Sequence, residues 1–155
     1  MKRIALKQSE VPLWLSGATE LRVVVKPQPE YNDFTGCWTW NEVPDPYEMS
    51  PVRALAEGAL VRGLLLACPY PIGSELALTE TWATDAMYDD LSPRDLPFDC
   101  SVQYKATIQT SWYGHWRSPV TMPAEFSRFI RRVAGVRVEH GELWEWVLTL
   151  EVKHG

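Results

Sequence analysis

The sequence predicts an α+β, mainly β domain of five to six mostly antiparallel strands with short flanking helices. Four short runs are rich in alternating, β-branched or aromatic residues: LRVVVK (residues 21–26), ELALTETW (75–82), SVQYKATI (101–108) and LWEWVLTLEV (143–152). The 12 prolines and 9 glycines fall between and around these runs and break up any long helix. Internal repeats and low-complexity tracts are lacking. Such a set of elements suits a small barrel or a strongly curled sheet.

The elements follow in chain order. Ser9 can cap a short helix over residues 10–15, with Gly17 as its stop. Residues 21–26 form a strand that Pro27 ends. Residues 28–51 are loop-like, broken by Pro29, Asn32-Asp33, Gly36 and Pro44-Asp45-Pro46, with a brief edge strand at 37–40. Ser50-Pro51 opens a helix over 52–60, which Gly58 and Gly63 weaken, so 60–67 can be extended instead. Strands follow at 75–82 and 101–108, separated by an acidic, turn-rich connection carrying Asp85, Asp89, Asp90, Asp95 and Asp99. Phe126, Phe129, Ile130 and Val133 share one helical face, so periodicity alone predicts helix there. Strands at 136–139 and 143–152 meet through His140-Gly141, a hairpin signal.

Composition narrows the function classes. Fifteen Lys and Arg against twenty Asp and Glu give a net charge of −5, which argues against wrapping long stretches of phosphate backbone. It leaves room for gripping one nucleotide with a local basic patch. Cys37, Cys68 and Cys100 are widely spaced and form no CxxC pair, so neither a disulfide framework nor a zinc site is expected. Met1-Lys2-Arg3 precedes only a short apolar stretch, and the longest apolar run, 64–68, is too short to span a bilayer. The expectation is a cytoplasmic protein with no membrane contact, no metal and no cofactor. Eight tryptophans stand out: such rings fill cores, and they also stack on bases.

The stretches RVVVKPQP (22–29), CPYPIGSELALTETWA (68–83), WRSPVTMPAEFSR (116–128) and LWEWVLTLEV, with Tyr104-Lys105-Ala106 between the second and third, share an order and content. Together they resemble the phage- and prophage-borne branch of the ASCH domains, in the PUA-like superfamily. The resemblance spans essentially the whole chain. It implies one domain over residues 1–155, a closed PUA-like pseudobarrel, and strand rather than helix over 127–139 with a short helical turn at 123–126. It also implies a cleft beside the barrel that binds RNA, single-stranded nucleic acid or a modified nucleotide base, in a protein working in the cytoplasm of a bacterial host cell.

Some members of the family hydrolyse an acyl group from acetylated cytidine, and others are linked to ribonuclease activity. Ala18 and Leu21 stand where the hydrolases place an activating lysine and a threonine nucleophile, and leucine offers nothing to activate. Val23 and Thr79 replace two further arginines of the family pattern. The sequence therefore leans away from catalysis and leaves Glu80 as its single candidate acid or base. A third reading is a protein–protein module, such as a phage factor that inhibits a host defence protein, with Trp and Arg as interface anchors.

The candidate ligand-binding residues are Thr19, Arg22, Lys26, Glu80, Trp82, Tyr104, Lys105, Trp116, Arg117 and Arg128. Glu80 and Trp82 lie two apart on a strand and so share a face. They form either a carboxylate beside a stacking indole, or a strand-end Glu paired with a nearby Arg above a core Trp. Arg22 and Lys26 either contact phosphate or line a solvated edge. WYGHWR (112–117), with Tyr104-Lys105, either interleaves stacking and cationic groups for single-stranded bases or folds back as an aromatic loop. His115 has no nearby His or Cys to share a metal. Arg128, Arg131, Arg132 and Arg137 form a basic cluster that is either a solvated face or a partner surface.

Overall fold

A computed structural model describes residues 1–26, 28–32, 37–40, 43–44, 60–61, 64–65, 68–107 and 113–153. The described strands are β1 (Lys2–Ala5), β2 (Glu20–Val24), β3 (Pro29–Asn32), β4 (Cys37–Trp40), β5 (Val43–Pro44), β6 (Leu60–Val61), β7 (Leu64–Leu65), β8 (Glu75–Thr79), β9 (Trp82–Ala83), β10 (Gln103–Tyr104), β11 (Phe129–His140) and β12 (Trp144–Val152), with one α-helix, α1 (Val11–Leu15). This is a mainly β, α+β fold, as expected. The main sheet is mixed, in the order β1-β8-β11-β12-β2. Strands β1 and β8 pair in parallel, whereas β8 with β11 and β12 with β2 are antiparallel. Edges remain at β1 and β2, so the closed sheet implied by the resemblance is not formed by the described strands.

The chain forms two compact units: Met1–Thr19, Glu75–Arg132 and Glu151–Gly155 in the first, Glu20–Ser74 and Val133–Leu150 in the second. In the first unit β8 is flanked by β1 and β11, and Leu76, Ala77, Leu78 and Thr79 are all buried, so both faces of this strand are covered. Helix α1 buries Val11 and Trp14, three residues apart on one face. Glu10, not Ser9, occupies its N-cap position. It ends in a Schellman closure: the Gly17 N–H donates to the Trp14 carbonyl and the Ala18 N–H to that of Leu13. Gly17 adopts φ 96°, a left-handed conformation that favours glycine.

The second unit holds more strand than its sequence predicts. Strands β3, β4 and β5 form an antiparallel ladder with β4 in the centre, which corrects the expected loop and the edge placement of 37–40. Pro29 and Pro44 fall on the flanking strands β3 and β5, where a missing N–H costs least. Strands β6 and β7 pair within the stretch expected to be helical or extended. The rest of the helix predicted over 52–60 lies outside the described residues.

Two sequence expectations give way to local geometry in the first unit. The strand predicted over 75–82 breaks at Glu80 and Thr81 before β9. The strand predicted over 101–108 shrinks to β10, followed by a 3-10 turn, Lys105–Thr107. Strand β9 is only two residues long and pairs Trp82 with Tyr104, after which the Lys105 N–H donates to the Thr81 carbonyl and the chain turns away. The resemblance is the better guide over 123–139: a 3-10 turn at Ala124–Phe126 leads into β11, against the helical periodicity.

Polar groups close the second unit. Gln28 acts as an extra backbone link beyond β2. Its Nε2 donates to the Val25 carbonyl at 2.6 Å and the Trp144 carbonyl at 2.9 Å, while its Oε1 accepts from the Trp144 N–H at 2.8 Å. On the exposed side, Arg22 pairs with Glu139 at 2.7 Å, and Arg137 pairs with both Glu139 and Glu20. Hydrogen bonds from Arg137 and then from Arg22 hold the Glu139 carboxyl below the usual carboxylate range.

Glu139 thus binds its proton less readily folded than unfolded. Its stabilising contribution is complete above the unfolded value of about 4.3 and is lost as pH falls through the lower folded value. Glu139→Gln should lower the melting temperature at neutral pH, and the difference from wild type should vanish in acid. An equal difference at every pH between 7 and roughly 2 would sink this assignment.

Candidate functional site

The break in strand after β8 turns Glu80 inward. Glu80 is 1% exposed, yet it is ionically satisfied: Arg128 Nε donates to Oε2 at 2.7 Å and Nη2 to Oε1 at 2.8 Å. This is the bidentate fork that matches guanidinium to carboxylate. Arg128 Nη1 donates to Thr107 Oγ1 at 2.9 Å, and its Cζ lies 4.4 Å from the centroid of the Tyr104 ring. The Tyr104 hydroxyl donates to the Phe126 carbonyl at 2.6 Å. Burial first, and then the Glu80 charge, push this hydroxyl above its usual value, so it remains a donor across the physiological range.

Trp82 is the hub of the adjoining core. It is 0% exposed, its Nε1 donates to the Ser118 carbonyl at 3.1 Å, and it packs with Leu96 and Met122. The Phe126 ring lies 5.7 Å away at a tilt. A fully covered ring presents no face to a base, so the stacking expected of Trp82 is corrected to a core role. Arg117 bridges Trp82 through paired backbone bonds, and its guanidinium donates to the Leu91 and Tyr88 carbonyls, both at 2.8 Å. Its cation is thus spent on closing the acidic connection. Asp89, in that connection, accepts from the His115 N–H, and a Cβ on Gly114 would overlap its carboxylate. Cys100 also packs on this core, and burial, followed by Asp99 and Asp85, pushes its thiol up.

The other expected residues distribute as follows. Lys105 is exposed beside Tyr104, and Trp116 is half-buried with its ring 4.5 Å from that of Tyr113. Thr19 is exposed at the end of a first-unit segment. Arg22 and Lys26 belong to the second unit, where Arg22 is held by Glu139 and Glu145. The expected basic cluster is largely neutralised: Arg128 by Glu80, Arg132 by Glu151 and Arg137 by Glu20 and Glu139. Trp112 lies outside the described residues. No group of three or more His, Cys, Asp or Glu side chains among the described residues could hold a metal ion, and no described helix is long and apolar enough to cross a membrane.

An open groove in the first unit, about 480 Å³ in volume, gathers residues that sequence reasoning passed over. Arg3 of β1, Arg94 of the 3-10 turn Pro93–Asp95, Phe98, Thr121, Glu125 and Phe126 line it. Phe98 is 93% exposed. Among the described residues, the Arg3 guanidinium donates to the Met122 carbonyl, at 2.8 Å, and neither Arg3 nor Arg94 has a carboxylate partner. The groove wall formed by Pro123–Phe126 rests on the buried site: Phe126 is gripped by Tyr104 and packs on Trp82. Phe98 gave no signal that sets it apart from Met87, Leu91 and Leu96, the other apolar residues of the same acidic connection. Arg3 gave none either, because its position depends on the parallel pairing of β1 with β8.

Compared with known proteins, the chain matches no family model, no curated protein and no solved structure.

The buried pair carries a stability prediction. Arg128→Ala leaves an unpaired carboxylate that is almost wholly enclosed and should cost about 3–5 kcal/mol. Glu80→Gln keeps an acceptor for the guanidinium, which is itself part-exposed, and should cost clearly less. Urea unfolding of both variants checks the order; the reverse order would show that the carboxylate reaches solvent.

Proposed function

We propose that this chain is a binding module for RNA, single-stranded nucleic acid or a nucleotide base, of the ASCH, PUA-like kind that its sequence resembles. A phage or prophage product acting in the cytoplasm of a bacterial host is the corresponding setting. The observation that carries the reading is the groove that two arginines, without carboxylate partners among the described residues, line together with a phenyl ring standing in solvent. Guanidinium groups neutralise phosphate, and an exposed ring offers a sequence-tolerant stacking face. Glu125 supplies a carboxylate acceptor, and the Thr121 hydroxyl, which donates its proton to the Ser118 carbonyl, supplies a second acceptor for base or sugar edges.

In this reading Glu80, Trp82, Tyr104 and Arg128 are positioning residues. They hold the Pro123–Phe126 wall and do not touch the ligand. Hydrolysis of an acyl group fits the residues less well, since Glu80 is committed to Arg128 and Leu21, at the nucleophile position, is buried and apolar.

The test is fluorescence anisotropy with labelled single-stranded RNA and DNA of about eight nucleotides, within the span that single-strand sites cover. Phe98→Ala should weaken binding by about 1–3 kcal/mol. Its effect on folding should stay within about 0.5 kcal/mol, because the ring is already in solvent. Arg94→Ala should weaken binding to all sequences alike and reduce the salt slope by about 0.7, the contribution of one phosphate on a single strand. Wild-type protein that ignores RNA, single-stranded DNA and free nucleotides alike would overturn the proposal and turn attention to Phe98 as a protein-contact residue.

A further inference from the structure

We infer that the ligand of the groove is a strand of at least two consecutive nucleotides, with the phosphate that links them held at Arg3; this rests on the nucleic-acid reading above. Beside the groove lies a second depression of about 610 Å³, lined by Ala124, Ser127 and Ile130. Arg3, Pro123 and Glu125 line both. The two depressions therefore adjoin along one ridge, built from Pro123 and the start of the Ala124–Phe126 turn.

Each depression falls within the roughly 300–1,000 Å³ typical of small-molecule sites, so each has room for one nucleoside. A free mononucleotide fills one and leaves its neighbour to water. A strand fills both and crosses the ridge once, and the group that crosses is its phosphodiester. Arg3 is the arginine shared by the two depressions, and its guanidinium has one carbonyl contact and no carboxylate partner among the described residues. Several of its donors therefore remain for a bridging anion.

The remaining chemistry is asymmetric across the ridge. On one side stand the rings of Phe98 and Phe126, with Arg94 for a further phosphate. On the other, Ile130 and Ala124 offer an apolar floor with no ring, suited to a sugar or the edge of a base. Glu125 on the ridge accepts hydrogen bonds and repels anions. It favours a ribose hydroxyl or an exocyclic amine and leaves Arg3 as the place for phosphate. The turn that forms the ridge is fixed from behind, by the Tyr104 hydroxyl on the Phe126 carbonyl.

Calorimetry on the full chain with UMP, the dinucleotide pUpU and octauridylate, and with the adenosine equivalents, tests the inference. The dinucleotide should bind at least about tenfold more tightly than the mononucleotide, a difference of about 1.4 kcal/mol. Ala124→Glu places a carboxylate in the second depression alone. It should erase that advantage, and an unchanged melting temperature reports that the variant is folded. Equal affinity for one and two nucleotides would overturn the inference while the nucleic-acid reading stands. A dinucleotide advantage that survives Ala124→Glu would also overturn it. Failure of every probe to bind wild-type protein would overturn the nucleic-acid reading itself.

Discussion

The carboxylate of Glu80 is enclosed at the end of the central strand β8, where an unpaired charge would be untenable. Arg128 makes it tolerable by a two-pronged contact, and the arrangement around that pair follows from it. The guanidinium has to lie in one plane to meet both oxygens, and in that plane its cation covers the Tyr104 ring. The ring in turn points its hydroxyl at Phe126. A single buried charge therefore fixes β10, the Lys105–Thr107 turn and the approach to β11 relative to β8. Replacing the pair with apolar residues of similar volume could preserve stability. It would lose the directional linkage that sets the height of the Pro123–Phe126 wall.

A second theme is how the chain apportions its arginines. In the second unit, Arg22 and Arg137 link β2 with β11 across the intervening β12 through Glu139 and Glu20, and Arg22 also reaches Glu145 on β12, a solvent-exposed arrangement weakened by salt. In the first, Arg128 and Arg132 are matched to Glu80 and Glu151, and Arg117 is absorbed by backbone carbonyls. Arg131 is half-buried against Phe129, and burial holds its guanidinium below the usual range. Arg3 and Arg94 line the groove and, among the described residues, pair with no carboxylate, although Glu125 lines the same groove. Among the described residues, the structural arginines are tied to carboxylates, to paired carbonyls or to burial, and the groove arginines keep donors to spare.

Much of this was legible in the sequence, for reasons that can be named. Gly17 announced the helix end because a left-handed position selects glycine. The alternating ELALT run announced β8, and His140-Gly141 announced the β11–β12 turn. Helical periodicity over residues 126–133 misled, since β11 buries Phe129 and Val133 at an even spacing that also fits a helix. The Glu80 site was half legible. Two apart on an ideal strand, Glu80 and Trp82 share a face, but the break in strand after Thr79 puts both inside with separate partners. SVQYKATI alternates well, yet a strand needs a neighbour along its length, and β9 supplies one for only two residues. The groove was illegible because it is assembled from β1, the Pro93–Asp95 turn and the Ala124–Phe126 turn, far apart in the chain.

A net charge of −5 and a nucleic-acid ligand are compatible once affinity is assigned to a place on the surface and not to the whole chain. Each phosphate neutralised on a single strand contributes about 0.7 to the salt slope. Two available arginines therefore imply a shallow dependence, unlike that of a protein that coats a strand with cations. On the proposed nucleic-acid reading, with so little electrostatic help, most of the affinity comes from stacking on Phe98 and from hydrogen bonds to base and sugar edges. Those contacts depend on the height and tilt of the wall carrying Glu125 and Phe126 far more than a point charge does. The buried Glu80–Arg128 pair and the Tyr104 hydroxyl set that height and tilt. An acidic protein that relies on a few directional contacts needs its rigidity immediately behind them.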